Sequence, residues 1–166
     1  MRTQRGCTWP TLIAIALTVL CVTVTYAGTT RIGTFDTRGV ALCYGRSDAF
    51  MERVSAMKDE HAQAEAAGDV ERVAELERLG PALQDTLHRQ AFGGAPIWNI
   101  LAGIEEELPA IAEAAGVDAI VVPLYGDTGD GLVDITREMV APFEPDEQTL
   151  SILDELMETD PVEMGE

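Results

Sequence analysis

The sequence predicts an α+β chain: a small β-body interrupted by a long α-helical hairpin arm inserted between its first and second strands. Three observations predict it. Ala119–Leu124 is a short apolar run with β-branched Ile120, Val121 and Val122 at its centre, bounded by Asp and Gly, which reads as a strand. The other strand candidate outside the N-terminal apolar segment, Arg31–Tyr44, lies more than eighty residues earlier. Between them apolar residues recur at helical spacing, from Phe50 to Ile111.

The first 27 residues stand outside the fold. Arg2 and Arg5 precede Thr11–Tyr26, which carries no charge, and Thr25 and Ala27 form a small-residue cleavage site before Gly28. This is the plan of a secretory signal peptide. Residues 11–26 are somewhat short for a bilayer span, which takes about 20 residues. An uncleaved signal anchor, tethering the chain to a membrane, is the competing reading. Either way the remainder is exported. That remainder keeps one of the three cysteines, Cys43, so no internal disulfide staples it.

The chain has 166 residues, enough for one domain of ordinary size, and a net charge of −18. The charge is uneven: +4 over Met1–Arg46 and −17 over Gln90–Glu166, where Arg137 is the lone cation. Such acidity repels nucleic acid and anionic headgroups and tolerates cations or basic protein segments.

Along the exported chain, Ile32 and Thr34 alternate with Gly33 and Phe35 as a short strand, and Gly39–Tyr44 leads out of it. Ser47 caps a helix in which Phe50, Val54 and Met57 form one apolar stripe. Gly68 interrupts, Asp69 recaps, and Val70, Val73, Leu76 and Leu79 continue at helical spacing. Gly80–Pro81 is a breaker at the midpoint of 46–116, with Gly68 twelve residues before it and Gly94 thirteen after. An antiparallel hairpin with its tip at Gly80–Pro81 has limbs of about 35 residues, or ~50 Å if fully helical. Three helices with breaks at Gly68 and Gly93–Gly94, folded as a compact bundle, is the rival. Pro96 suits a first helical turn, and Pro109 bends the return limb. Ile97, Ile100, Leu101, Ile104, Leu108 and Ile111 make the strongest apolar face, and Gly116 stops the limb. After the second strand, Gly126–Gly131 supplies a turn and Asp134 caps a short helix from Ile135. Pro145–Asp146 starts another, with Leu150, Ile152, Leu153, Leu156 and Met157 on its apolar side, before an acidic tail over Thr159–Glu166. The resulting division is 1–27 signal peptide or anchor, 28–45 with 117–143 β-body, 46–116 arm, and 144–166 acidic C-terminal helix and tail.

Chemistry-bearing patterns are few. Asp127, Asp130 and Asp134 sit among glycines, but the sixth position from Asp127 is Leu132, where a calcium-binding EF-hand loop needs glycine. Glu105–Glu107 are consecutive on a helix and point apart. His61 and His88 lie at different distances from the proposed tip and share no metal. No nucleophile elbow or phosphate-binding glycine loop is present. The reading is of a non-enzyme with no catalytic, cofactor or metal residues.

RIGTFDTRGV (Arg31–Val40), the charged helical excursion, AEAAGVDAIVV (Ala112–Val122) and VDITREMV (Val133–Val140) together resemble the Skp/OmpH family of periplasmic chaperones, over roughly Arg31–Phe143. The resemblance implies a homotrimer whose strands form a central β-body and whose hairpins surround a cavity that holds unfolded outer-membrane proteins without ATP. It implies client contacts on the inner arm face: Phe50, Val54, Met57, Leu76, Leu83, Leu87, Phe92, Ile97, Trp98 and Leu101. This chain has a shorter arm than the family's usual one, is acidic where well-known members are basic, and adds Glu144–Glu166. The expected function is an exported ATP-independent holdase; the alternative is a non-catalytic, membrane-tethered envelope scaffold or adaptor on the same fold.

Overall fold

A computed structural model describes residues 30–123 and 131–162. Three short strands, β1 (Ile32–Thr34), β2 (Ala119–Ile120) and β3 (Leu132–Asp134), form a sheet in the order β2–β1–β3. Both pairings are parallel: Ile32 stands opposite Ala119 on one side and Leu132 on the other. The chain is thus of mixed α and β structure. The third strand, β3, was not expected from the sequence, because three residues are too few to show a period of two. The glycine turn before it, with Asp127 and Asp130, lies outside the described residues apart from Gly131.

Seven α-helices occur among the described residues. The first, α1 (Thr37–Arg46), takes up most of the Arg31–Tyr44 strand candidate and confines the strand to its first residues. Asp36 ends the strand and starts the helix, its carboxylate accepting from the Arg38 backbone N–H at 2.8 Å. Arg38, Gly39, Val40, Ala41 and Cys43 are all buried, so α1 is enclosed on most sides and shows no apolar stripe to read. Its glycines are there for close packing. A Cβ on Gly39 would lie 2.5 Å from Leu153 Cδ1, and one on Gly45 would lie 2.5 Å from Leu87 Cδ2.

Ser47 caps α2 (Asp48–Ala67), as its position predicts, and Gly68 ends it with φ +70°. Asp69 then caps α3 (Val70–Gly93). The hairpin turn is therefore Gly68–Asp69, and Gly80–Pro81 lies inside α3, which corrects the expected tip. The Asp69 side-chain cap and the left-handed Gly68 beside it outweigh one proline, whose missing N–H a long helix absorbs. The helices, 20 and 24 residues long, span about 30 and 36 Å. Arg72 ties the turn, reaching Glu60 at 2.7 Å and Glu75 at 2.5 Å.

Gly94 ends α3 with φ +66°. The expected return limb is instead broken into α4 (Trp98–Leu101), a 3-10 turn (Ala102–Ile104) and α5 (Leu108–Ala115). Pro109 falls in the first turn of α5, where its absent N–H costs nothing, so it begins a helix instead of bending one. Ile97, Ile100, Ile104 and Ile111 are 1–6 % exposed and sit in the same core as Val40, Met139 and Leu153. The strongest apolar face in the sequence thus belongs to the body. Burial of each such side chain contributes about 1.5–3 kcal/mol.

After β3 come α6 (Thr136–Val140), a 3-10 turn (Ala141–Phe143) and α7 (Glu147–Met157), capped by Asp146 as predicted. Leu153 on α7 is fully buried. Tyr44 of α1 packs edge-on against both Phe50 of α2 and Phe143, and Arg46 Nε donates to Thr149 Oγ1 at 2.8 Å. The segment following α7, expected as a frayed tail, is fastened: Val162 N donates to the Phe92 carbonyl at 2.9 Å. No described helix is long and apolar enough to cross a membrane; residues 11–26 lie outside the described residues.

Candidate binding cavity

β3 ends in Asp134 and β1 is followed two residues on by Asp36, each leading into a helix, and the two ends are wired together. Asp36 N–H donates to Thr136 Oγ1 at 2.9 Å, and Thr136 Oγ1 in turn donates to Asp134 Oδ1 at 2.6 Å. Asp134 Oδ1 also accepts from the Thr136 backbone N–H, but the helix begins at Thr136 with Ile135 in the capping position, one residue later than expected. Arg38 completes the rim. Its Nη2 lies 2.7 Å from Asp36 Oδ2, and its Nη1 donates to the Thr159 carbonyl at 2.7 Å.

Above these strand ends lies a cavity of about 780 Å³. One wall is the corner Gly93–Trp98 between α3 and α4; the other is the fastened segment Glu158–Pro161. The floor includes Thr34, Phe35, Val122 and Pro123. Thr34 is 4 % exposed, and its hydroxyl is buried with no hydrogen-bond partner among the described residues. Trp98, by contrast, is 61 % exposed. Asp36, Asp134, Glu158 and Asp160 line the cavity against Arg38, the lone cation among its described lining residues.

The residues expected to face clients are distributed over three environments. Phe50 and Leu76 are buried, and Val54, Met57, Leu83 and Leu87 are half-buried. Met57, Leu76 and Leu83 come together in a shallower groove of about 370 Å³ along the hairpin, edged by Arg53, Glu60 and Arg72. Ile97 is in the core and Leu101 packs against it. Phe92 and Trp98 are exposed, and Trp98 with Ile97 borders the cavity at the strand ends.

Reading the sequence missed Asp36, Arg38 and Thr136 as site residues. The signal was present in the repeated strand-end aspartate of FDTR and VDIT. Cys43, on the buried side of α1, has its thiol pushed up to about 11 by burial, against the opposing pull of Arg137 and Arg46. It is an inert apolar group at neutral pH. His61 lies 3.6 Å from Glu65 and 3.8 Å from Glu77, and His88 stacks edge-on against Phe92. No group of three or more His, Cys, Asp or Glu side chains poised to hold a metal occurs among the described residues.

Fold and cavity together define a small mixed α/β protein with a parallel sheet, a helical hairpin and a cavity at the carboxyl ends of its strands. Comparison of the chain with protein-family models, curated proteins and solved structures finds no match.

Proposed function

We propose that the chain is an exported, ATP-independent holdase of the Skp/OmpH kind, a homotrimer that binds unfolded envelope proteins and catalyses nothing. The observation that supports this best is the order of elements: a strand, a helical hairpin, a second strand, and VDIT entering a helix beside the first strand. The two outer edges of this small sheet carry no strand partner among the described residues, and subunit pairing would satisfy them. The hairpin groove of Met57, Leu76, Leu79 and Leu83 offers apolar surface to a non-native chain. The test is dilution of a urea-unfolded outer-membrane barrel protein into buffer containing the full chain. Suppressed light scattering, weakened by Leu79→Asp, supports holding; undiminished scattering at a molar excess of trimer sinks it.

A second reading rests on a specific observation. Phe50 and Leu76 are 8 % and 5 % exposed, so much of the hairpin's apolar stripe already serves packing within this chain. A scaffold or adaptor, tethered through residues 11–26, needs no client-facing stripe. Retention of that segment in the mature envelope protein, together with no effect on scattering, would favour it.

A further inference from the structure

The cavity at the strand ends has its own chemistry, independent of any holding activity. Open parallel sheets place ligands outside the carboxyl ends of their strands. The volume of about 780 Å³ falls in the usual range for small-molecule sites, about 300–1,000 Å³. Phe35, Ile97, Val122, Pro123 and Met157 give it an apolar interior.

Charge selects among ligands. Arg38, the lone lining cation among the described residues, is already engaged by the Asp36 carboxylate and the Thr159 carbonyl, which leaves no free positive group among them for an anion. Glu158 and Asp160 are exposed, line the cavity, and take part in none of the ion pairs among the described residues. An ammonium head would find these two carboxylates at the rim, with the exposed Trp98 ring available for a cation–π contact. A short alkyl chain would lie along the apolar interior. On the floor, Thr34 holds a buried hydroxyl without a partner among the described residues.

We propose that this cavity binds an alkylammonium cation, with Glu158 and Asp160 holding the charge beside the Trp98 ring and the alkyl chain along the apolar interior. Two sources share that chemistry: a free aliphatic diamine and a protein lysine side chain.

The test uses the full chain carrying Trp9→Phe, so that Trp98 is the sole indole. Its emission is followed during titration with cadaverine, Nα-acetyl-lysine amide, hexanol and hexanoate. Saturable responses to cadaverine alone identify a free amine; matching responses to the lysine amide identify a protein side chain. Glu158→Gln with Asp160→Asn weakens binding about tenfold, the scale of two rim charges, while Glu105→Gln with Glu106→Gln leaves it unchanged. Unaltered far-UV dichroism shows that both variants fold. No saturable response to either cation, an equal response to hexanol, or equal weakening by both double variants overturns the proposal. Because no client is present, the result is independent of the aggregation assay.

Discussion

Arg38 Nη1 donates to the backbone carbonyl of Thr159 at 2.7 Å, joining residues 121 positions apart. The same guanidinium holds Asp36 through Nε and Nη2. One side chain, 9 % exposed, thereby fixes the end of β1, the start of α1 and the segment after α7. Arg38→Ala leaves the Asp36 carboxylate, itself only partly exposed, without its partner and frees the Thr159 segment. The expected loss is about 2–4 kcal/mol, measured by urea unfolding. Arg38→Lys recovers less than half of it, because a single ammonium cannot make the forked contacts.

The C-terminal extension is part of the body, and Gly39 facing Leu153 shows why. A methyl group on Gly39 would meet Leu153 Cδ1 at 2.5 Å and Thr136 Cγ2 at 3.3 Å, and Leu153 has no exposed surface into which to move. Gly39→Ala therefore destabilises by about 1–3 kcal/mol, despite the better helix propensity of alanine. Leu153→Ala alone costs about 2–5 kcal/mol. In the double variant the new methyl enters the space vacated, so the combined loss falls short of the sum by about 1–2 kcal/mol. Strictly additive losses in thermal unfolding would show that the two side chains do not share this space.

The position of the hairpin turn is open to a direct check. Gly80 and Pro81 lie within α3, and nothing stands within 4 Å of a Cβ built on Gly80. Gly80→Ala should stabilise by about 0.5–1 kcal/mol. Pro81→Ala restores a helical hydrogen bond and should add about 2 kcal/mol, after the lost restraint on the unfolded chain is deducted. Gly68→Ala, at φ +70°, should do the opposite by about 1 kcal/mol. A turn at Gly80–Pro81 would reverse all three signs in the melting temperature.

What could be read from the sequence was what local chemistry decides. Ser47, Asp69 and Asp146 each cap the helix they announce, and Gly94 and Gly116 each adopt the left-handed conformation that ends one. What could not be read depends on tertiary surroundings. Helix α1 is enclosed by α3, α6 and α7, which erases its apolar stripe and makes its glycines resemble strand punctuation. The apolar face from Ile97 to Ile111 has the spacing of one long helix, yet core packing breaks it into three pieces. The cavity was invisible because its walls, Gly93–Trp98 and Glu158–Pro161, are joined only through the fold. Its floor could have been suspected from Asp36 and Asp134, each placed where an apolar strand gives way to a helix.

Cys43 supplies a pH dependence with a definite sign. Its thiol rises from the ordinary 9.0 to about 11 in the folded protein, so above pH 9 the unfolded chain loses this proton while the folded chain keeps it. The folded state then binds more protons than the unfolded state, and stability falls as pH rises. The contribution is intact below pH 9, declines between pH 9 and about 11, and amounts to about 2–3 kcal/mol. Cys43→Ala removes this slope at the expense of a small cavity, which lowers stability by about 1 kcal/mol at neutral pH. Urea unfolding of both proteins at pH 7, 9 and 10.5 checks the prediction: the gap between them narrows with rising pH and reverses by pH 10.5. Alkylation by iodoacetamide at pH 8 should follow the same logic, slow in native protein and fast in urea. Rapid native alkylation would mean that the α1 core opens readily around Cys43.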